Sequence, residues 1–358
     1  MSLLARLLSK MSADRNCAPI LVLGDFMLDR YIIGDVKRIS PEAPIPIVSV
    51  TEELFRLGGA GNVVSNLASL GARVHCFPFL GLDEGSEQLL KLCEQPQIRV
   101  FPTRSPEVRA IIKARLVARK QQIARIDWDP PAQFRFSREL QQKLLDTLES
   151  QMQVSRSLIL SDYAKGMLTP EFLNEIFALA QTHGVACFVD PKNADYRIYR
   201  GCASITPNTQ EAFQATGIEV VCDQTAERAV RRIHELTQAR SVFVTRAEKG
   251  MTVLDAQLDR VVHFPALARE VADVSGAGDT VISMIALAHE LGFTAFESAI
   301  LSNIAASVVV SHFGTVPCTQ DEFLNAARAF LPHGGEVGFS TSIDREELRV
   351  HEEMSAEL

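Results

Sequence analysis

Short apolar runs alternate with helical patterns along most of this chain, and this alternation limits the possible folds more than any other feature. The run PILVLGD at 19–25 ends in Gly-Asp, as is typical of a central parallel strand. Later apolar runs lie at 73–81, 157–162, 185–190 and 241–245, and helical patterns lie at 61–72, 85–95, 170–182, 209–216, 224–238, after 279 and at 295–311. The alternation predicts an α/β fold with a mostly parallel central sheet and helices on both of its faces.

Two pairs of strand-like segments interrupt this alternation, because no helix separates the members of either pair. Residues 30–36 and 45–50 form the first pair, and residues 108–127 contain the second. Their apolar and polar residues alternate, which is typical of strands with one exposed face. We therefore expect a small β-sheet, with strands at about 30–50 and 108–127, that stands off the main body as a lid.

The composition is that of one large globular domain. The chain has 358 residues, of which 47% are hydrophobic and 22% are charged, and its net charge is -8. We expect an N-terminal extension at 1–18 (a frayed helix or an appended segment), a single domain at 19–335 and a polar tail at 336–358. The acidic net charge argues against a nucleic-acid partner, since phosphate backbones bind basic surfaces.

The sequence predicts neither a membrane span nor a cysteine-bound metal. The most apolar late segment, AILSNIAASVVVSHF, contains Ser, Asn and His, which is typical of a buried helix. The seven cysteines are scattered and form no CxxC pair, so we interpret them as inert thiols in a reducing compartment. A cytoplasmic protein follows from these two observations.

The segment DVSGAGDTVI at 273–282 combines glycines with an aspartate at the start of a helical pattern. The first N–H groups of a helix bind anions, and the glycines allow a phosphate to approach the backbone closely. We predict that the N–H groups of Gly276, Ala277 and Gly278 form an anion hole. Asp279 beside it is the candidate general base for a hydroxyl that attacks a phosphoryl group. A glycine turn with an aspartate that merely stabilises the first helical turn is the alternative.

A second glycine-rich helix start lies at 56–72, RLGGAGNVVSNLASLGA. It has neither the Lys-Ser/Thr of a Walker A motif nor the GxGxxG spacing of a dinucleotide fold. Backbone amides of Gly58 and Gly59 with the amide side chain of Asn62 suit recognition of sugar hydroxyls. Asp25 and Asp29 follow the first strand, where α/β folds bind ligands, although a solvated turn residue is an equally simple interpretation of Asp29.

Together, the early Gly-Gly…Asn helix start and the late DxxGAGD segment resemble the signatures of the ribokinase-like carbohydrate kinases. Further stretches resemble the heptose-7-phosphate kinase branch of this family, namely GDFMLDRY, RISPEAPIPIV, KQQIARID, LSDYAKGML, DPKNADYRIYRG, TPNTQE, VTRAEKGM and DVSGAGDT. The resemblance extends from about 19 to about 335. It implies a ribokinase-like fold with a small β-sheet lid. It also implies the stand-alone form of the kinase, without the nucleotidylyltransferase domain that follows it in many relatives.

The resemblance also implies roles for individual residues. Asp279 would deprotonate the anomeric hydroxyl, Asp29 would bind sugar hydroxyls with Asp25 as a neighbour, and the 58–62 loop would contact the sugar. Asn208 and Glu211 in TPNTQE would serve the nucleotide phosphates, with Glu211 binding Mg²⁺ through water. A plain capping box is the alternative interpretation of this pair, and both can hold together. The remaining candidates for nucleotide binding are Thr245, Arg246, Gly250 and Asn303.

Basic residues on the expected lid strands are candidates for binding a phosphate at the far end of the sugar. Lys113 and Arg115 are two residues apart and therefore share one face of a strand, and Arg119 and Arg125 lie nearby. A solvated face whose charges discourage edge pairing is the alternative. Lys165 and Lys192 follow two later strands and would either neutralise the transferred phosphoryl group or pair with Asp162 and Asp190.

The expected activity is ATP-dependent, Mg²⁺-assisted phosphorylation of D-glycero-D-manno-heptose 7-phosphate at O1, in the synthesis of activated heptose for lipopolysaccharide. The expected partners are the sugar phosphate and a second copy of the chain that pairs through the lid sheet. Alternatives are a kinase of the same fold for another sugar, sugar phosphate or nucleoside, and a non-catalytic sugar-binding protein.

Overall fold

The structure is a computed structural model that describes residues 2–12, 18–119, 121–131, 135–268 and 271–331. The α-helices of these residues are α1 (Leu3–Ser12), α2 (Ala60–Ser69), α3 (Glu84–Leu92), α4 (Arg138–Met152), α5 (Pro170–His183), α6 (Thr209–Thr216), α7 (Asp223–Thr237), α8 (Ala277–Glu290), α9 (Ala295–Val309) and α10 (Gln320–Phe330). Two short 3₁₀ helices lie at Tyr196–Tyr199 and Ala247–Lys249.

The strands fall into a large sheet, a small sheet and a two-stranded pair. They are β1 (Ile20–Gly24), β2 (Phe26–Ile39), β3 (Pro46–Gly59), β4 (Val74–Cys76), β5 (Phe79–Leu80), β6 (Ile98–Val100), β7 (Thr103–Arg104), β8 (Ile111–Ala118), β9 (Gln121–Trp128), β10 (Ser157–Ser161), β11 (Ala186–Asp190), β12 (Ser204–Ile205), β13 (Ser241–Thr245), β14 (Met251–Asp255) and β15 (Arg260–Phe264).

The large sheet has nine strands in the order β15-β14-β13-β12-β11-β10-β1-β4-β6. Its strands pair in parallel from β6 to β13, and the edge strands β14 and β15 pair antiparallel. The central strand β1 is buried along its whole length. Ile20 and Val22 face one hydrophobic core, whereas Leu21 and Leu23 face the other. This two-sided burial explains why the strand is a continuous apolar run, and it confirms the predicted α/β fold.

Helices cover both faces of this sheet and place the glycine-rich helix starts on one side. The core on that side contains buried residues of α1, α2, α8, α9 and α10. The opposite core contains buried residues of α4, α5, α6 and α7. Because α2 and α8 pack side by side, the segments that precede them meet at the carboxyl ends of the strands, where α/β folds bind ligands.

The small sheet has the order β3-β2-β8-β9 and confirms the predicted lid strands. Strand β2 pairs antiparallel with β3 and parallel with β8, and β8 pairs antiparallel with β9. The proline-rich SPEAP stretch lies in the connection between β2 and β3, as expected. The edge strand β9 is exposed at all eight of its positions, whereas the start of β2 is buried against the main body.

The N-terminal segment is not frayed, and that part of the prediction was wrong. Leu4 and Leu7 of α1 are buried in the main core. Arg6 pairs with Glu297 of α9, and the ammonium of Lys10 donates to the carbonyl of Leu291. The leucines that share one helical face therefore pack on the domain instead of lying in solvent. The predicted tail at 336–358 lies outside the described residues.

The alternation did not predict α4, α10 or the antiparallel edge of the large sheet. The strands of this edge, β14 and β15, follow β13 through short turns, so no helical pattern separates them. None of the helices in the described ranges is both long and apolar enough to cross a bilayer.

Candidate active site

Asp279 lies in the first turn of α8, and its carboxylate is held from both sides. Gly276, which precedes the helix, has a left-handed backbone with φ 82°. A Cβ at this position would lie 2.6 Å from Nδ2 of Asn62, so only glycine fits without a shift. The Asn62 amide donates to one oxygen of Asp279 at 2.8 Å, and the Tyr163 hydroxyl donates to the other at 2.9 Å. The carboxylate thus has a fixed orientation.

Burial raises the pKa of Asp279 to about 6, and the hydrogen bonds from Asn62 and Tyr163 oppose that rise. The charge of Asp29 raises the pKa further, and that of Lys113 lowers it. A carboxylate with this pKa is mostly ionised at neutral pH yet more basic than an exposed aspartate. These are the properties of a general base.

The backbone around Gly276 retains donors for an anion. Within the described ranges, the N–H groups of Gly276 and Gly278 have no acceptor, and Ala277 donates to the carbonyl of Val274 at 3.3 Å. The three residues lie at the N-terminus of a 14-residue helix, whose dipole favours negative charge there. The predicted anion hole therefore has at least two free donors beside Asp279.

Asn62 lies in the first turn of α2 and belongs to a network that joins the two glycine-rich segments. The Asn66 amide donates to the Asn62 side-chain oxygen at 3.3 Å. The side-chain oxygen of Asn66 accepts from the Thr280 hydroxyl at 3.0 Å and from the Cys318 N–H at 3.1 Å. Asn62, predicted to contact sugar, is therefore in direct contact with the predicted base.

Asp29 lies on the lid sheet and is 3% exposed. Its carboxylate is 2.5 Å from Nη1 of Arg115 and accepts from the Thr315 hydroxyl at 3.2 Å. A Cβ on Gly58 would lie 2.6 Å from the Asp29 carboxylate, so the glycine makes room for it. Gly59, with φ 56°, turns the chain from β3 into α2.

Asp25 has a different environment from Asp29. One of its carboxylate oxygens accepts from the N–H groups of Tyr163 at 2.9 Å and Lys165 at 3.1 Å. Burial and the charge of Asp162 raise its pKa to about 7. Asp25 therefore anchors the 162–165 segment that follows β10 and carries Tyr163.

Lys113, Arg115 and Arg125 form a cationic cluster on one face of the lid sheet. Lys113 is directly opposite Asp29 on β2 and Asp127 on β9, and Arg115 is opposite Arg125. Arg125 forms two hydrogen bonds with Asp127, at 2.9 and 2.7 Å. In this way two of the three cations have a carboxylate partner.

Lys113 differs from these two arginines. No carboxylate in the described part of the chain lies within ion-pair distance of its ammonium, which lies 5.2 Å from the centre of the Tyr163 ring. Burial and the charges of Lys165, Arg125 and Arg115 lower its pKa, against the effect of Asp29. Such a cation is an unsatisfied receptor for an anion.

The other predicted lid and loop cations are more distant or already paired. Arg119 lies at the β8–β9 turn, about 20 Å along the strand from Lys113, and its guanidinium is 3.5 Å from the carbonyl of Val36. The ammonium of Lys165 is 2.7 Å from the Asp129 carboxylate. Arg119 therefore does not join the cluster around Lys113.

Asn208 and Glu211 form a reciprocal capping box at the start of α6. The Glu211 N–H donates to Asn208 at 2.9 Å, and the Asn208 N–H donates to Glu211 at 3.0 Å. Lys192 lies 2.9 Å from the other oxygen of Glu211. Asp190 is half-buried, and desolvation and the charges of Asp279 and Glu211 hold its pKa well above the ordinary range. A region of negative potential thus extends between Glu211 and the predicted base.

The remaining nucleotide-side candidates surround the strands β13 and β14. Thr245 ends β13 and forms a bridge with Asn208. Gly250 has φ 83°, and a Cβ there would lie 2.0 Å from the Phe264 carbonyl. The buried Arg246 lies 2.7 Å from Asp223 and 2.9 Å from the Thr252 hydroxyl. Asn303 donates to the Pro265 carbonyl at 2.6 Å, so the side chains of these last two residues bind protein groups.

Sequence reasoning did not assign a role to Tyr163, Thr315 or Asn66. Tyr163 lies within the LSDYAKGML motif, but no periodicity or spacing relates it to Asp279, 116 residues later. Thr315 follows α9 in a segment without a regular pattern, and Asn66 resembles an ordinary polar residue on a helix. Only the fold brings Tyr163 to Asp279, Thr315 to Asp29 and Asn66 into the network around Asn62.

Comparisons with known proteins agree with this geometry. The model of the family described as "pfkB family carbohydrate kinase" matches residues 18–322 of this chain. The bifunctional protein HldE of Geobacter sulfurreducens is 39% identical over 307 residues, which cover 86% of this chain and 62% of that protein. HldE of Granulibacter bethesdensis is 39% identical over 337 residues, which cover 92% of this chain and 69% of that protein. This chain therefore spans about two thirds of the length of these relatives.

Solved structures show the same fold at low sequence identity. Phosphofructokinase-2 of Escherichia coli in complex with fructose-6-phosphate superposes with a TM-score of 0.71 at 19% identity, covering 88% of this chain and 99% of that one. Ribokinase of Arabidopsis thaliana complexed with ribose and ATP superposes with a TM-score of 0.65 at 17% identity, covering 87% of this chain and 98% of that one. The fold is therefore ribokinase-like, and the chain belongs to the pfkB family of carbohydrate kinases.

Proposed function

We propose that this kinase transfers the γ-phosphoryl group of ATP to O1 of D-glycero-D-manno-heptose 7-phosphate. The observation that carries the proposal is the cationic cluster on the lid sheet, on the same side as the buried Asp279; the ammonium of Lys113 in this cluster has no carboxylate partner among the described residues. A kinase for an unphosphorylated sugar has no need for a second anion receptor beside its base. The sequence motifs that resemble heptose-7-phosphate kinases support the same substrate.

Asp279 acts as the general base in this reaction. The attacking hydroxyl donates its proton to the carboxylate, and its oxygen then bonds to phosphorus as the bond to ADP breaks. The free N–H groups of Gly276 and Gly278 stabilise the charge of the transferred group, and the α8 dipole acts in the same direction. Lid closure over the sugar excludes water from the site.

Asp29 and the 58–62 loop bind the sugar, and Lys113, Arg115 and Arg125 bind its 7-phosphate. Arginine and lysine are suited to this task because phosphate accepts several charge-assisted hydrogen bonds. The ion pair of Arg115 with Asp29 orients both groups before the substrate binds. Arg115 thereby connects the part of the site that binds the sugar hydroxyls to the part that binds the phosphate.

The nucleotide lies on the side of Asn208, Glu211, Thr245 and Gly250, with Lys192 and Lys165 near its phosphates. Mg²⁺ fits this region, because the charges of Glu211 and Asp279 raise the pKa of Asp190 and a cation would compensate all three. Glu211, and Asp190 in its ionised form, would hold the ion through water. The bound ion supplies neutralisation of the phosphate charge.

The assembly and location that fit this activity are a cytoplasmic homodimer that pairs through the lid sheets. The exposed side chains of Ile126 and Trp128 on the edge strand β9 support such pairing, since they are 51% and 48% exposed.

The test is an assay of ADP release with Mg²⁺ and ATP. Heptose 7-phosphate, unphosphorylated heptose, fructose 6-phosphate, ribose and adenosine are each offered to the wild type and to Asp279→Asn. Activity with heptose 7-phosphate alone, lost in the variant, is the expected result. Preference for another compound would assign the kinase a different substrate. Nucleotide binding without any transfer would favour a non-catalytic sugar-binding protein.

A further inference from the structure

We propose that Tyr163 is a positioning residue that keeps the Asp279 carboxylate ionised and oriented, and that it connects this base to the anion receptor on the lid. This inference rests on the proposed role of Asp279 as the base. Tyr163 contacts both groups: its hydroxyl donates to Asp279 at 2.9 Å, and its ring lies below the Lys113 ammonium at 5.2 Å.

The backbone of Tyr163 is fixed by buried carboxylates on either side. Its N–H donates to Asp25, and the Ala164 N–H donates to Asp162 at 2.7 Å. Asp162 also accepts a hydrogen bond from the Tyr199 hydroxyl. A tyrosine held so firmly reaches Asp279 in one orientation, which is the condition for positioning another side chain.

The hydroxyl of Tyr163 is a donor at every pH at which the enzyme works. Burial and the charge of Asp279 raise the pKa of Tyr163 well above its ordinary range. Donation to a carboxylate stabilises its ionised form, so this bond opposes the effect of burial on Asp279. Without the bond, a larger fraction of Asp279 would be protonated at neutral pH and unable to accept a proton.

The charged groups that face Asp279 come from three strands. Asp29 on β2 and Asp190 at the end of β11 disfavour its ionisation, and Lys113 on β8 favours it. The Lys113 ammonium lies over the ring of Tyr163, and the hydroxyl of the same tyrosine holds Asp279. An anionic substrate that binds this ammonium is therefore connected to the base through Tyr163. The ring and the hydroxyl therefore have separable tasks.

Tyr163→Phe separates them, since it removes the hydroxyl and keeps the ring beneath Lys113. We expect kcat at pH 7 to fall about tenfold, about twofold of it from protonation of Asp279 and the rest from the lost orientation of its carboxylate. The acid limb of kcat/KM should move upward by about one pH unit from its wild-type position near 6. The KM for the sugar phosphate should change less than twofold. An unmoved acid limb would overturn the proposal.

Tyr196→Phe is the matched control. Tyr196 is buried, and its hydroxyl has no hydrogen-bond partner among the described residues. Its replacement should leave both kcat and the acid limb unchanged. A shift of the limb in this variant equal to that in Tyr163→Phe would attribute the effect to general packing and would also overturn the proposal.

A second measurement does not depend on catalysis. Asp279 has a higher pKa in the folded chain than in the unfolded chain, so its ionisation lowers stability as pH rises from about 4 towards 6. In Tyr163→Phe this loss should continue to about pH 7, so the ratio of the two unfolding constants should grow about threefold between pH 6 and 7 and about tenfold over the whole titration. On the Asp279→Asn background the divergence should vanish.

These two measurements separate the inference from the proposed function. If the wild type transfers no phosphoryl group but the divergence in stability appears and requires Asp279, the proposed kinase reaction is wrong and the proposed role of Tyr163 is supported. If the wild type is active and neither the acid limb nor the stability curve moves, Tyr163 does not position the base.

Discussion

Two buried carboxylates of the site, Asp279 on α8 and Asp29 on the lid sheet, differ in the groups that hold them. Asp29 has a full positive charge from Arg115 at 2.5 Å, whereas the hydrogen bonds of Asp279 come from the neutral side chains of Asn62 and Tyr163. A neutral donor orients a carboxylate without cancelling its charge, so the group remains basic. An ion pair stabilises the charge and makes the carboxylate a recognition element. The partner of a buried carboxylate therefore decides its chemistry.

Removal of the base should have the largest effect of the changes that test this comparison. Asp279→Asn retains the shape of the side chain but cannot accept a proton, so we expect kcat to fall about 10³-fold. The assay is ADP release in the presence of the sugar phosphate. Asp29→Asn is the counterpart, and it should mainly raise the KM for the sugar. An equal loss of kcat in both variants would contradict the distinction between the two aspartates.

Loss of the ion pair should have the next largest effect. Arg115→Met leaves the Asp29 charge buried and unpaired, and we expect the free energy of unfolding to fall by about 3 kcal/mol. Urea unfolding at pH 7 measures this change. Addition of Asp29→Asn to the variant should restore part of the stability, because the unpaired charge is then absent.

The control for this prediction lies on the same sheet. Arg30 pairs with Glu53 on the half-exposed surface, and Arg30→Met should change stability by less than about 1 kcal/mol. Equal losses from the two arginine variants would mean that burial does not distinguish the two pairs.

The difference between the two regions also shows what sequence can predict. The glycine-rich helix start and the alternating lid strands are local patterns, so Asp279 and the face of Lys113 and Arg115 could be found from spacing alone. The partners that set their chemistry are distant in sequence. Asn62 is 217 residues from Asp279, and Thr315 is 286 residues from Asp29. Propensity and periodicity carry no information about such pairs, because only the packing of α2 on α8 and of the lid on the main body creates them.

The N-terminal helix α1 likewise has a local pattern that is visible in the sequence and long-range contacts that are not. Its leucines predict an amphipathic helix, but no local pattern indicates that Leu4 and Leu7 fill part of the main core. Similarly, the capping box at Asn208 and Glu211 was visible in the sequence, whereas the contact of Glu211 with Lys192 depends on the neighbouring strand.

The lid cations should affect binding more than chemistry. Lys113→Met removes the lid cation that has no carboxylate partner in the described ranges, and we expect the KM for the sugar phosphate to rise about tenfold to a hundredfold with a smaller change in kcat. Steady-state kinetics with a phosphorylated and an unphosphorylated sugar measure the effect. Lys37→Met removes an exposed charge from β2 and serves as the control. If Lys113→Met raises the KM for the phosphorylated and the unphosphorylated sugar equally, Lys113 does not bind the phosphate.

The smallest effect is expected from a methyl group beside the base. Gly276→Ala places a Cβ in a left-handed backbone and 2.6 Å from the Asn62 amide, and we expect a loss of about 1–2 kcal/mol in the free energy of unfolding. Gly184→Ala is the matched control, because Gly184 has a similar φ of 67° but no atom within 4 Å of the added Cβ. It should show the backbone strain alone.

The difference between these two glycine variants isolates the contact with Asn62. Because Asn62 donates to Asp279, displacement of its amide weakens one of the two hydrogen bonds that favour the ionised base. Gly276→Ala should therefore also raise the acid limb of kcat/KM above its wild-type position, whereas Gly184→Ala should not. If both variants lose stability equally and neither moves the limb, Asn62 orients α2 and α8 but does not control the protonation of Asp279.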